Sequence, residues 1–201
     1  MADINGSPFL KILLDYLAAN DFKRVILAVG YKHEFIVRFF GSSHAGMELI
    51  YNIETERLGT GGALKQCFTL TRNKTQFVLN GDSFCDFDFD RMQVLSQGEV
   101  PVLASVKIEE ISRYGSLELE GDLVVKINEK GGCGPGLINA GCYLFSQDIF
   151  KGFNTDGRFS LETTLLRGLS EQRRLKACVS EGRFIDIGIP KDLEKARRMF
   201  L

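Results

Sequence analysis

At 201 residues the chain can bury one ordinary α/β core and is too short for two. Lys and Arg number 25 against 26 Asp and Glu, a net charge of −1, so no cationic field exists to hold a nucleic-acid backbone or an anionic membrane. A hydrophobic share of 44% with 25% charged residues excludes disorder, and the longest apolar stretch, the short Val25 to Val29 run, cannot span a bilayer.

Ser7 and Pro8 open a helix as N-cap and first helical residue, with Phe9, Leu10, Leu13, Leu14 and Leu17 at helical spacing to about Asn20. Val25-Ile26-Leu27-Ala28-Val29 is apolar on both faces, as in a buried parallel strand, and Gly30 ends it. A helix near 33–40, a strand near 48–54, a helix over 62–70 and a strand over 76–80 repeat the alternation of a doubly wound sheet. From Pro101 the pattern turns antiparallel: a strand over 102–108, then a hairpin of 117–119 and 123–127 turning at Gly121-Asp122. A strand over 137–145, a helix over 161–169, short strands over 175–179 and 183–187, and a helix over 190–200 with Pro190 in its first turn complete the chain.

The expected fold is therefore one α/β domain over 1–201, a doubly wound, mostly parallel mixed sheet with helices on both faces. Such sheets begin with a strand feeding the first helix, whereas here the helix starts within a few residues of Met1. We expect a domain lacking its first strand and truncated at its N-terminus. Two neighbouring strands would then carry unpaired ladder groups, and the free-standing chain would be unstable or self-associated.

Met1-Ala2-Asp3-Ile4-Asn5-Gly6 has neither the basic nor the apolar region of a signal peptide, so the expected compartment is the cytosol. Cys67, Cys85, Cys133, Cys142 and Cys178 form no C-x-x-C pair and lie far from His33 and His44, a spacing that offers no zinc site. Cys142, inside an apolar run, reads as a small hydrophobe.

Several polar residues fall where chemistry is done. Asn80-Gly81-Asp82 lies just beyond the carboxyl end of an apolar strand, where open α/β sheets bind ligands. Asp186 stands inside the apolar alternation of Arg183 to Pro190. Two carboxylates from separate strands suit Mg²⁺, which takes few protein oxygens and leaves its remaining positions to water and phosphate; as plain structure, each aspartate caps a helix or a turn. Leu58-Gly59-Thr60-Gly61-Gly62-Ala63 precedes a helix, so its amides can face a phosphate or a base edge, or it is simply a turn. A loop is expected over Gly131 to Gly136. Asn139-Ala140-Gly141 places Asn and Gly in a buried strand, a sign that a ligand such as a sugar approaches the backbone. Glu162, after Phe159-Ser160-Leu161, fits the acidic first turn of a helix.

Taken in order, these segments resemble the sugar-phosphate nucleotidyltransferases, and among them the heptose 1-phosphate guanylyltransferases. The resemblance runs through Asn5 to Leu10, the L-G-T-G-G-A turn, Asn80-Gly81-Asp82, Tyr114-Gly115, Glu129-Lys130, Asn139-Ala140-Gly141, Phe159 to Glu162 and Asp186 to Pro190. It implies that Leu58, Gly59 and Gly62, with Asn80 and Gly81, bind the nucleotide. Asp82 and Asp186 would hold Mg²⁺. Tyr114, Gly115, Glu129, Asn139, Gly141 and Glu162 would bind the sugar phosphate, with Lys130 catalytic beside its phosphate. The family's opening strand, its G-G-x-G-T-R-L loop and its P-K-P-M segment have no counterpart here. Phe184 stands where many relatives have Trp, and no proline follows Lys130.

The implied activity joins a sugar 1-phosphate, a heptose, to a nucleoside triphosphate, GTP, and releases pyrophosphate. Partners are those small molecules, with self-association left open. Two alternatives stand beside it: a glycosyltransferase using the D-x-D pattern of Asp86, Asp88 and Asp90, aspartates that more simply start a helix near Arg91, and a catalytically silent relative that binds a sugar phosphate or regulates a complete copy.

Overall fold

The computed structural model describes residues 1–201. Two short strands, β1 (Asp3–Ile4) and β2 (Ser7–Pro8), form a hairpin whose turn residues Asn5 and Gly6 sit at φ 53° and 86°, as a two-residue primed turn requires. Ser7 is thus a strand residue, and Pro8 precedes the first helical residue of α1 (Phe9–Ala19) instead of occupying it. No side chain caps α1. The hairpin does so in its place, because the Phe9 N–H donates to the Ala2 carbonyl at 2.8 Å.

β3 (Arg24–Val29), α2 (His33–Phe40), β4 (Ser43–His44), β5 (Met47–Ile53), α3 (Gly59–Phe68) and β6 (Thr75–Leu79) follow. α3 starts three residues earlier than the sequence suggests: the glycine turn is wound into the helix, where Gly61 and Gly62 are buried. Then come β7 (Ser83–Cys85), α4 (Phe89–Ser96), β8 (Val102–Ile108), β9 (Ser116–Glu120), β10 (Leu123–Ile127) and β11 (Gly136–Ser146). A wide π-helical segment, Leu161–Leu166, runs into α5 (Arg167–Glu171), and β12 (Lys176–Ser180), β13 (Phe184–Asp186) and α6 (Pro190–Met199) close the chain. The β9–β10 hairpin turns at Gly121-Asp122 as expected. The 131–136 loop is tied down, with Ile111 N–H donating to Gly134 O and Gly131 N–H to Ser112 O, each at 3.1 Å.

The α/β class and the mixed sheet are as expected, but parallel pairing is narrower than a mostly parallel sheet implies. The main sheet has the order β6-β11-β8-β12-β10-β9, and only its β8–β12 pair is parallel. β3–β5 is the other parallel pair, in a separate sheet completed by β4. The β3–β5 pair is joined through α2 and the short β4, whereas β8 and β12 are separated by the antiparallel strands β9 to β11 as well as by helices.

Helices cover both faces of the main sheet. Ile138, Ala140, Cys142 and Leu144 of β11 pack with Leu14, Leu17 and Met92 of α1 and α4, while Tyr143 and Phe145 pack with Leu64, Leu165 and Leu169 on the other side. Each such fully buried side chain contributes roughly 1.5–3 kcal/mol of transfer free energy. A third cluster of Phe9, Leu13, Phe84, Ile185 and Ala196 seats the β7–β13 ribbon on α1 and α6. β3 pairs only with β5, and β6 only with β11, so each keeps one unpaired ladder edge. Val25, Ile26, Leu27, Phe77, Val78 and Leu79 are consequently only half-buried.

Candidate active site

The site forms where β11 changes partner. Its first half pairs with β9, Leu137 opposite Leu117 and Ile138 opposite Ser116; its second half pairs with β6, Cys142 opposite Leu79. Between them the β8–β11 register slips at a bulge spanning Asn139 to Tyr143. The neighbours β6 and β9 part here, leaving a crevice at a switch in strand order. Gly141 sits in the bulge at φ 79°, and a Cβ there would stand 2.9 Å from Asn80 Nδ2. Asn80 is locked across it, its N–H donating to Gly141 O at 2.7 Å. Asn139 Oδ1 accepts the Gly141 N–H at 3.0 Å, and its Nδ2 donates to Tyr143 Oη at 2.7 Å. Asn80, Gly81, Asn139 and Gly141 are therefore brought together.

Asp82 leaves the same crevice into β7. In the β7–β13 ribbon Asp186 lies opposite Ser83, and the Ile187 N–H donates to Asp82 O at 2.9 Å, which sets the two carboxylate residues side by side. Asp82 Oδ1 accepts from Ser83 Oγ at 3.3 Å and Asp186 Oδ1 from Gly188 N–H at 2.7 Å, leaving the other oxygens free. The far end of the ribbon is clamped by Asp86, which takes Arg183 Nε and Nη2 at 2.9 and 2.8 Å; that pairing holds its carboxyl below the usual range. Asp88 accepts the Arg91 N–H at 2.9 Å as the N-cap of α4, and Asp90 lies in that helix's first turn. The D-x-D aspartates are thus divided between an ion pair and a helix start.

Tyr114 stacks edge-on against Phe184 at 6.0 Å, and burial, aided by the Asp186 charge, raises its hydroxyl pKa. A Cβ on Gly115 would meet Asn128 O at 2.6 Å, so this glycine lets the 114–115 segment lie against 128–129. Glu129 is ion-paired with Arg167 at the edge of a shallow cavity of about 350 Å³. Lys130 follows on the exposed loop.

The glycine turn is met by the residues before the π-helical segment. The Gly61 N–H donates to Phe159 O at 3.1 Å, and Cβ atoms on Gly59 or Gly61 would collide with Phe159 at 2.4 and 2.2 Å. Gly62 closes on Leu58 in the same way, at 2.8 Å. Glu162 Oε2 accepts from Thr60 Oγ1 at 3.0 Å and Ser160 Oγ at 2.9 Å, and Thr60 Oγ1 accepts the Leu161 N–H at 2.8 Å. Gly59, Thr60, Arg158, Phe159, Ser160 and Glu162 line an open cleft of about 430 Å³. Tyr143 links the parts: it is buried, and after that burial the fields of Glu162 and Asp82 are among the influences raising its hydroxyl pKa.

Sequence reasoning missed Thr60, Arg113, Tyr143 and Arg167. Thr60 lies inside the glycine turn and Arg113 directly before Tyr114-Gly115, so the signal was there: a hydroxyl within the turn, and a cation beside a segment already singled out. Tyr143 and Arg167 carry no sequence signal, because their roles come from contacts with residues distant in the chain.

Known proteins extend this picture. The chain is 40% identical over 193 residues to a D-glycero-alpha-D-manno-heptose 1-phosphate guanylyltransferase of Campylobacter jejuni, covering 96% of this chain and 86% of that protein. It is 36% identical over 200 residues to the enzyme of the same name from Aneurinibacillus thermoaerophilus, covering 98% and 87%. The crystal structure of HddC from Yersinia pseudotuberculosis complexed with GMP-PN superposes with a TM-score of 0.89 at 35% identity, covering 100% of this chain and 89% of that one. The model of the nucleotidyl transferase family matches residues 2–201, and the chain belongs to that family.

Proposed function

We propose that this chain is a sugar 1-phosphate guanylyltransferase that joins a D-glycero-D-manno-heptose 1-phosphate to GTP and releases pyrophosphate. The observation that carries the reading is the placement of Asp82 and Asp186 side by side at the crevice where β11 changes partner. The names of the Campylobacter and Aneurinibacillus relatives, and the GMP-PN complex of HddC, support the base and the sugar.

The donor set fits Mg²⁺: two carboxylates with free oxygens, no thiol or imidazole bonded to them, and an exposed Asp82 open to phosphate and water. Bound there, Mg²⁺ neutralises phosphate charge during transfer. The protein's part is to position. Leu58, Gly59, Gly62, Asn80 and Gly81 border the nucleotide. Tyr114, Gly115, Glu129, Asn139, Gly141 and Glu162 border the sugar, where Glu162 Oε1, free of the bonds that hold Oε2, accepts a hydroxyl. Lys130 meets the sugar phosphate. A sugar-phosphate oxygen attacks the α-phosphorus in line, the bond from that phosphorus to the bridging oxygen breaks, and pyrophosphate leaves with the electron pair; no covalent enzyme intermediate forms.

The test is pyrophosphate release with Mg²⁺, each of the four nucleoside triphosphates, and a panel of heptose and hexose 1-phosphates. It is run also on a chain carrying the family's opening strand and glycine-rich loop. Asp82→Asn and Asp186→Asn should each lower turnover by about a thousandfold or more while leaving the circular dichroism unchanged. Normal turnover in either variant would sink the metal assignment. Binding of sugar phosphate without pyrophosphate release in any form would favour the silent, regulatory reading.

A further inference from the structure

Asp186 has one cation in reach, and its geometry is unusual. Arg113 Nη2 stands 3.7 Å from Asp186 Oδ1, too far for a hydrogen bond, while Nη1 is bonded to Asp192 in the first turn of α6. Asp192 is a built anchor: its side chain is 7% exposed, and its second oxygen takes Lys195 Nζ at 2.7 Å. The guanidinium also lies over the Tyr114 ring, 5.3 Å from the centroid. The anchor and the ring fix the side chain from behind. Its Nη2 is left beside Asp186 without a hydrogen bond to it.

A purely structural arginine would close on Asp186, since the planar fork is suited to two-point carboxylate contacts. Asp192 prevents this by holding the opposite edge. The result is a fixed positive charge with open donors beside the carboxylate implied in divalent-cation binding. An arginine next to a divalent cation repels it, and a phosphate oxygen placed between the two relieves that repulsion while accepting the free N–H groups.

We propose that Arg113 is a phosphate-binding residue of this site: without a divalent cation it offsets the charge of Asp186, and with cation and nucleotide bound its Nη2 edge donates to the phosphate oxygens held beside Asp186. This rests on the guanylyltransferase reading. Its consequence is coupling: cation and nucleotide bind better together than the cation binds alone, and the coupling is reciprocal.

The experiment compares three proteins: wild type, Arg113→Met, and Arg113→Gln combined with Asp192→Asn, which keeps a neutral hydrogen bond at the buried anchor. Mn²⁺ binding alone is followed by the electron paramagnetic resonance signal of free Mn²⁺, and GTP binding in saturating Mn²⁺ by calorimetry without sugar phosphate. Arg113→Met should bind Mn²⁺ alone about fivefold more tightly, since a neighbouring like charge has gone, and the double variant by less than that, since Asp192→Asn removes an opposite charge as well. Both should bind GTP about tenfold more weakly, since a charge-assisted hydrogen bond has gone. These opposite signs separate the proposal from a structural role, in which both affinities would stay the same or fall together; either of those results overturns it. If wild type binds no Mn²⁺, or binds it equally well after Asp82→Asn, the carboxylate metal site itself fails and the Arg113 proposal falls with it.

Discussion

Gly141 does two jobs at one position. Its φ of 79° makes the bulge in β11, and its missing side chain leaves room for Asn80. Gly141→Ala should destabilise the fold by about 1–3 kcal/mol through the left-handed backbone alone. Because the new Cβ would press on Asn80, it should also raise the KM for nucleotide more than it lowers kcat, which steady-state kinetics beside thermal melts will show. A reversible melt unchanged from wild type would contradict the strain assigned to this position. The sequence announced the residue, since a glycine two places after an asparagine in an apolar strand marks a bulge or a close approach to the backbone. It said nothing of Asn80 as the partner, which depends on the pairing of β6 with β11. Asp88 shows the opposite case: a metal-like pattern in the sequence resolves into a helix cap, because the Arg91 amide is only three residues away.

Among the elements, the join between α3 and the π-helical segment carries the most consequence. Thr60 accepts the Leu161 N–H and donates to Glu162, so the helix assigned to the nucleotide sets the carboxylate assigned to the sugar. Thr60→Val keeps the shape, removes the hydroxyl and leaves a backbone donor unsatisfied, a loss of about 1–3 kcal/mol. The expected kinetic outcome is a KM for sugar 1-phosphate raised about tenfold, with the KM for GTP changed far less; Thr60→Ser should restore it. Equal changes in both constants would show that the hydroxyl serves stability alone. The α3 start at Gly59 was not legible, because a helix opening on glycines runs against propensity and is made here by Phe159 closing over Gly59 and Gly61. Helices α1, α2 and α6 were legible within a residue or two, since their apolar spacing and Pro190 act locally.

On the scale of the molecule, the alternation of strands and helices revealed the α/β class, while strand order stayed hidden, because no local signal says that β11 touches β6, β8 and β9 in turn. The edges of β3 and β6 away from β5 and β11 are unpaired. Their outward amides have no ladder partner, so hydrogen exchange followed by mass spectrometry should find them far less protected than those of β8, which is paired on both sides. Equal protection in β6 and β8 would mean that something covers the open edge, for instance a second copy of the chain.

The three-way pairing of β11 also bears on how the molecule reaches its shape. Its partners come from both earlier parts of the chain, β6 near the middle and the β8–β9 stretch just before it, so β11 cannot settle until the loops to both have closed. The bulge with Asn139 and Gly141 lies between those two closures. Assembly of the crevice therefore waits on the slower of these pairings, and because β11 also supplies side chains to both faces of the core, the core and the crevice are completed by the same event.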